Sequence, residues 1–481
     1  MGTATSTPWE EHQDTNKDLH ELEDGVKTVI LIHGLASCAL RGKTSGSAGF
    51  LCDYCDLDAD ERLLYVSIQE LAKRPHIVKS LALNWEPAAA RRHEDGNEGQ
   101  RTFKTAAGYE NSKVYPVEGL DGIRTLNPGI ESEVAPVYLW HNVIEHLSEY
   151  NLLAFNYDWR RWGDVIYIAR LVPKFKEQLE LAVKVSRQPT VVVAHSLGAQ
   201  VITYMMGLLG PEWTEAHISD VVLVGPATMG SPSVFAGYAN GPSTITHSSV
   251  VPVANFMEIR LRDVASTWPG MLAVMPTPLN GLDTFSGQKM ATSPKRSYSG
   301  MDSVAFLEDL ANCDEKEGKH WLLDETRGIH ETSRRWLEDH DILSVKRIWK
   351  VQFQNAAVMR RAFETHVVPY LRPPNCRVHV VYAASMDTLF EQKFQENLFF
   401  KASFGKFVPG DDTITAGSVD RMCEAWKKAG CHVVKHHAGK FHHKELITCP
   451  FTMKVLDTVM AGTENSETEE WDSEDVEGCE C

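Results

Sequence analysis

TVVVAHSLGAQVITYMMGLLG, Thr190–Gly210, is the stretch on which the fold turns. A run of β-formers passes straight into Ala-His-Ser-Leu-Gly, and a pattern with helical spacing begins at once. A short continuous apolar run of this kind suits a strand buried on both faces of a parallel sheet. Ser196 sits at the hinge, with Ala194 and Gly198 two places away on either side. A serine hydroxyl is a poor nucleophile near neutrality unless a base stands beside it. A sharp strand-to-helix turn lifts the hydroxyl above the sheet and aims the N-terminus of the helix at a developing oxyanion. The flanks of such a turn have no room for side chains. Ala194, in place of the first glycine of G-x-S-x-G, is small enough.

Further strands and helices alternate around this hinge. VKTVILI (Val26–Ile32) reads as a buried strand ending at His33-Gly34, and NLLAFNYDWR (Asn151–Arg160) as a strand with a polar end. VPKFKEQLELAVKVS (Val172–Ser186) has helical spacing, DVVLVGPAT (Asp220–Thr228) is the next strand, and RVHVVYAAS (Arg377–Ser385) and CHVVKHH (Cys431–His437) follow later. Helical character is expected at Leu139–Tyr150, over much of 302–363, and in a last helix near Phe451–Met460. Strand, helix, strand at this spacing implies right-handed crossovers, hence an α/β protein with a mostly parallel sheet.

Periodicity lapses over 36–134 and 230–345. Gly- and Ser-rich turns mixed with short helices are expected there, as two insertions forming a cap or lid. Trp85, Phe235, Tyr238, Trp268 and Met271 lie in these stretches and suit either a lipid-facing surface or the core beneath it. The domain is expected to run from 25 to 462, between a disordered polar N-terminus (1–24) and a disordered tail (463–481).

Lys and Arg number 48 against 65 Asp and Glu, a formal charge of −17, which argues against nucleic acid as a partner. Nine of the acidic side chains and no basic one fall in the tail, a composition that cannot offset its own ordering entropy. No apolar run reaches membrane-span length, and the N-terminus lacks a secretory core. The expected setting is intracellular, cytoplasmic or peripherally membrane-associated. Met1-Gly2-Thr3-Ala4-Thr5-Ser6 fits N-myristoylation at Gly2. The ten cysteines are scattered, and the close pairs Cys52/Cys55 and Cys479/Cys481 lack the second pair of a zinc site, so free thiols are expected. Neither cofactor nor metal is expected.

A base and an acid must follow the serine, in the order Ser, acid, His. VPGDDTITAGS (Val408–Ser418) offers Asp411 and Asp412 as the acid. KHHAGKFHHKEL (Lys435–Leu446) offers four histidines, of which His443 comes first as base and His442 second. H-E-x-x-H is absent, which removes the commonest metal reading of such a cluster. The oxyanion needs two N–H donors. They are expected at Leu197, just after the nucleophile, and at Leu35, in the turn behind His33-Gly34.

Several segments, in order, resemble the lecithin:cholesterol acyltransferase family, which includes phospholipid:diacylglycerol acyltransferases and lysosomal-type phospholipases. FNYDWRRWGD (Phe155–Asp164) is similar to the family's Tyr-Asp-Trp-Arg signature, VEGLDGIRTLNPG (Val117–Gly129) to the segment before it, and ATMGSPSVFAGYANG (Ala227–Gly241) to its Gly-Ser stretch. STWPGMLAVMP (Ser266–Pro276), VVYAASMDT (Val380–Thr388), PGDDTITAGS (Pro409–Ser418) and HHKELI (His442–Ile447) resemble later family segments. Two departures stand out. His33-Gly34 occupies the place where many members have Pro-Gly, and the lid cysteine pair of secreted members has no clear counterpart.

The resemblance implies an α/β-hydrolase fold and an acyl-serine mechanism, with Ser196 as nucleophile, Asp411 as acid, His443 as base, and Leu35 and Leu197 as oxyanion donors. Asp158 and Arg160 would be structural. The implied activity moves a fatty acyl group from a glycerolipid at a membrane or lipid-droplet surface to an alcohol or to water. A plain carboxylesterase or triacylglycerol lipase, or an inactive lipid-binding relative, are the alternatives.

Overall fold

The fold is described from a computed structural model covering residues 22–44, 62–65, 81, 83–85, 103–105, 112–126, 139–240, 265–279, 285, 287–312, 342–394, 403–462 and 471–472. Strands are numbered β1–β16 along the chain. Seven of them make the central sheet: β1 (Thr28–Ile32), β7 (Asn151–Ala154), β8 (Thr190–His195), β9 (Ile218–Val224), β12 (Arg377–Tyr382), β15 (Val433–His437) and β16 (Trp471–Asp472). Their spatial order is β16-β15-β12-β9-β8-β1-β7, and every pairing is parallel. β1 and β8 are buried along their whole length, as their unbroken apolar sequences require.

The chain leaves β1 for β7 on one side and returns over it to β8 on the other. Such a reversal opens a crevice beyond the carboxyl ends of the two strands. Ile32 pairs with Ala194, so the turn after β1 and the turn after β8 emerge side by side at that crevice. The crossover helix Val165–Ser186 starts at Asp164, whose carboxylate caps the Ile166 N–H at 3.0 Å. It ends in the left-handed conformation at Arg187.

The first insertion departs from expectation. Apart from the short helical turn Asp121–Arg124 and a 3-10 residue at Leu81, its elements among the described residues are strands, not short helices. β2 (Leu40–Thr44), β3 (Arg62–Tyr65) and β6 (Ser112–Pro116) form an antiparallel sheet, and β4 (Leu83–Trp85) pairs with β5 (Phe103–Thr105). Strands of three to five residues carry too little alternation for a period of two to register.

A second sheet, in the order β11-β10-β13-β14, went unforeseen in the sequence. It joins β10 (Ala291–Thr292), β11 (Ser297–Tyr298), β13 (Met386–Lys393) and β14 (Ser403–Gly410). The antiparallel pair β13–β14 sets Gly410 opposite Met386, and so fixes where the following acidic residues emerge.

In the second insertion, helices Val234–Asn240, Pro269–Ala273 and Ser303–Ala311 lie before the long helix Ile342–His366. Phe235, Tyr238, Trp268 and Met271 are buried, so they attach this region to the core and do not present a lipid-facing surface; the Trp85 side chain lies outside the described residues. Arg360, on the long helix, is fully buried. It donates to Leu272 O at 2.6 Å, Pro276 O at 2.8 Å and Thr277 Oγ1 at 3.0 Å, and pairs with Glu364 at 2.8 Å. Burial lowers its pKa from the ordinary value, but four acceptors leave the charge well compensated.

The acidic tail is not wholly outside the fold. Trp471–Asp472 pairs with His436–His437 as the outermost strand, a two-residue ladder that patterning cannot signal. Residues 1–21, with Gly2, lie outside the described residues. Among the described residues Cys38, Cys376, Cys423, Cys431 and Cys449 are free thiols, and no helix is long and apolar enough to cross a membrane.

Candidate active site

Ser196 lies between β8 and the helix Leu197–Leu209, with φ 55° and ψ −120°. This backbone conformation is costly for a residue with a side chain and persists only where the surroundings enforce it. Here they do. The Ser196 N–H is bound to Val224 O at 3.0 Å, and Ser196 O accepts from Ala199 N and Ala227 N, each at 3.1 Å. A Cβ on Gly198 would stand 2.4 Å from Ile32 O, and one on Gly34 would stand 2.8 Å from Ser196 Cβ. The small residues around the serine are therefore contact requirements of two packed turns.

The imidazole that meets Ser196 comes from the segment after β15. His443 is buried, and its Nε2 lies 2.8 Å from Ser196 Oγ, while its Nδ1–H donates to Asp411 Oδ2 at 2.7 Å. Asp411 is buried in the turn after β14, where its other oxygen accepts the N–H groups of Thr413 at 3.0 Å and Ile414 at 2.6 Å. That leaves Oδ2 for the imidazole. The backbones join as well, His443 N donating to Asp411 O at 2.8 Å. Burial alone would depress the His443 pKa, but the charge and hydrogen bond of Asp411, helped by Asp412, outweigh it and raise the value above the ordinary one.

The two carboxylates and the two histidines take different partners. Asp412 turns away from His443, and its Oδ2 accepts from His442 Nδ1 at 2.6 Å. A second carboxylate–imidazole pair thus stands beside the first. His442 makes no hydrogen bond to Ser196 among the described residues. The proposed donors Leu35 and Leu197 occupy the turns after β1 and β8, brought together by the contact of Gly34 with Ser196.

Several supporting residues escaped the sequence reading. His195 Nε2–H donates to His443 O at 3.0 Å and its ring stacks obliquely on His443 at 4.9 Å. Burial, then the neighbouring His443, lowers its pKa to about 3, so it stays neutral beside that ring. Ser231 Oγ donates to Thr413 O at 2.5 Å, bracing the acid turn, and Thr388 Oγ1 accepts from Asp412 N at 2.9 Å. Isolated histidines and serines in turns carry no pattern that distinguishes these roles.

Asp158 and Arg160 are both buried and bind each other at 2.6 Å and 2.9 Å; Arg160 also donates to Leu81 O at 3.1 Å. They tie the end of β7 to the first insertion and touch neither Ser196 nor His443. Among the described residues no group of three or more His, Cys, Asp or Glu side chains could hold a metal ion.

Residues 104–450 match the lecithin:cholesterol acyltransferase family. The chain belongs to that family. A phospholipid:diacylglycerol acyltransferase of Schizosaccharomyces pombe is 27% identical over 118 residues, covering 22% of this chain and 19% of that protein. The lysosomal phospholipase A and acyltransferase of Bos taurus is 28% identical over 160 residues, covering 32% of this chain and 35% of that protein. The matched parts thus span about a fifth and about a third of those relatives. Among solved structures, a Tle4–Tli4 complex aligns over 92% of this chain and 99% of its own, at 14% identity and a TM-score of 0.41. The parallel sheet and the strand–serine–helix turn make this family member an α/β-hydrolase fold.

Proposed function

We propose that the protein is a serine-dependent lipid O-acyltransferase or phospholipase, with Ser196, His443 and Asp411 as its catalytic residues. The observation that carries the reading is the unbroken line Ser196 Oγ, His443 Nε2, His443 Nδ1, Asp411 Oδ2, with links of 2.8 Å and 2.7 Å. Asp411 fixes the tautomer that leaves Nε2 free to accept a proton.

In this mechanism Ser196 Oγ attacks the ester carbonyl as its proton passes to His443. The tetrahedral oxyanion accepts from the N–H groups of Leu35 and Leu197. Its collapse breaks the acyl–oxygen bond, and the departing alcohol takes the proton from His443. An incoming alcohol or water then gives its proton to His443 and attacks the acyl-serine, returning the serine hydroxyl. No cofactor or metal enters the balance. Family membership and the acyltransferase relatives favour a glycerolipid donor, met at a membrane or lipid-droplet surface. The glycerolipid assignment rests on the family.

The test is product analysis on vesicles of radiolabelled phosphatidylcholine, with and without diacylglycerol or a sterol. Acyl transfer to the added alcohol supports the acyltransferase reading, and release of fatty acid alone reduces it to a phospholipase. An alkyl fluorophosphonate should label the wild type but not Ser196→Ala, whose kcat should be lower by about 10⁶. Labelling that persists in Ser196→Ala refutes the assignment of the nucleophile.

A further inference from the structure

The proposed donor Leu35 N–H belongs to the peptide unit whose carbonyl is Gly34 O. In a trans peptide the C=O and N–H lie in one plane and point in opposite directions, so whatever holds the carbonyl also aims the N–H. Gly34 cannot carry a side chain here, because a Cβ would meet Ser196 Cβ at 2.8 Å and His195 O at 3.1 Å. Glycine leaves the adjoining peptide planes a wide choice of orientation. An external restraint is therefore needed, and it is present. Gly34 O accepts from His33 Nδ1 at 2.9 Å and from Ser37 N at 3.3 Å.

The tautomer of His33 follows from its other partner. Tyr157 N–H can only donate, and it meets His33 Nε2 at 3.3 Å, so Nε2 bears no proton and the single hydrogen of the neutral ring is on Nδ1. Burial lowers the His33 pKa to about 4, which keeps the ring neutral in neutral solution. Tyr157 grips the residue twice more. Its hydroxyl donates to His33 O at 2.8 Å, and its ring stacks on the imidazole at 4.2 Å with the planes 10° apart. Two residues on, Trp159 Nε1 donates to Cys38 O at 3.0 Å, holding the far side of the same turn.

We infer that His33, clamped by Tyr157, is a positioning residue that orients the Gly34–Leu35 peptide so that the Leu35 N–H is ready for the oxyanion. The inference rests on the proposed roles of Ser196 and Leu35. It gives the tyrosine of the Tyr-Asp-Trp-Arg signature a task in catalysis, at one remove from the substrate.

The experiment uses the purified full chain and two readouts, hydrolysis of p-nitrophenyl butyrate and the second-order rate of alkyl fluorophosphonate labelling, which needs no knowledge of the natural substrate. His33→Leu removes the donor, while His33→Asn retains an N–H near the Nδ1 position. His33→Leu should lose about 10²-fold in kcat and in labelling rate with KM nearly unchanged, the signature of a lost transition-state contact. His33→Asn should recover most of that loss. The acid limb of the pH profile should stay in place in both, because His443 is untouched.

A folded His33→Leu with near wild-type rates overturns the inference, as does His33→Asn no better than His33→Leu, or a displaced pH limb. Should His33→Leu not fold, Tyr157→Phe serves. It keeps the stack but drops the hydroxyl, and kcat should fall several-fold at constant KM; an unchanged kcat overturns the inference equally. Ser196→Ala separates the two levels. If it retains labelling, the site assignment itself is wrong, whereas silent His33 variants beside a dead Ser196→Ala refute the positioning role alone.

Discussion

Asp411→Asn is the most demanding substitution, because it is nearly isosteric and its consequence follows from two sets of hydrogen bonds. Asp411 Oδ1 accepts two backbone N–H groups, from Thr413 at 3.0 Å and Ile414 at 2.6 Å, while Oδ2 accepts from His443 Nδ1 at 2.7 Å. Asparagine has one acceptor oxygen. If that oxygen keeps the two backbone donors, the NH₂ group faces His443, forces Nδ1 to accept and moves the ring proton to Nε2. Nε2 then cannot take the proton of Ser196. If the amide flips, NH₂ faces two buried N–H groups, leaving donors unsatisfied at a cost of about 1–3 kcal/mol each.

The first arrangement is the cheaper, so the fold survives in the wrong tautomer. The expected loss in kcat is about 10⁴-fold, or about 5.4 kcal/mol at 1.36 kcal/mol per decade. The assay is the rate of fluorophosphonate labelling and of p-nitrophenyl butyrate hydrolysis, with circular dichroism and thermal unfolding to establish that the variant folds. An Asp411→Asn protein within about tenfold of wild type would refute the reasoning. So would a loss of this size at Asp412→Asn instead.

Asp412 acts on His443 through its charge only. His443 works as a base when unprotonated, and the Asp412 carboxylate favours the protonated ring. Asp412→Asn should therefore move the acid limb of kcat/KM to lower pH while sparing the plateau to within about tenfold, as a pH–rate profile will reveal. Asp158→Ala strands the buried Arg160 charge and should destabilise by about 3–5 kcal/mol in urea unfolding, with less than the sum lost in the double variant Asp158→Ala/Arg160→Leu. Gly198→Ala places a Cβ 2.4 Å from Ile32 O and 2.8 Å from His33 O, both backbone atoms of a neighbouring turn. It should cost at least about 1–3 kcal/mol in thermal unfolding and depress activity through the displaced turn, whereas Gly417→Ala, whose Cβ would meet only the end of the Arg421 side chain at 3.8 Å, should do neither.

Much of the architecture could be read from the chain because buried parallel strands leave long apolar runs. β1, β8 and β9 announce themselves, and the turn at Ser196 follows from the small residues two places to each side. The partner residues were narrowed but not resolved by local sequence. Asp411 and Asp412 are equivalent as text, and so are His442 and His443. They separate only because Asp412 takes up φ 74° and turns its carboxylate to His442, leaving Asp411 to face the other ring. The antiparallel pair β13–β14, which leads into Asp411, was missed because register shifts interrupt its pairing, so its strands show no clean alternation. The aromatics of the insertions were left open between surface and core for a different reason. An aromatic side chain in an irregular stretch looks the same whether it packs inward or outward, and Phe235 and Tyr238 pack inward.

The guanidinium of Arg360 has a consequence for how this part of the molecule can move. Through Leu272, Pro276 and Thr277 it fastens the Trp268–Thr277 segment to a helix of 25 residues, and that segment in turn abuts the turn carrying Leu35, since a Cβ on Gly270 would stand 2.9 Å from Leu35 Cδ1. This wall of the crevice cannot swing as an independent flap without stranding a buried cation. Any widening of the crevice must carry the long helix along as one body, so a shift at the turn behind β1 is coupled to a helix distant from it in sequence.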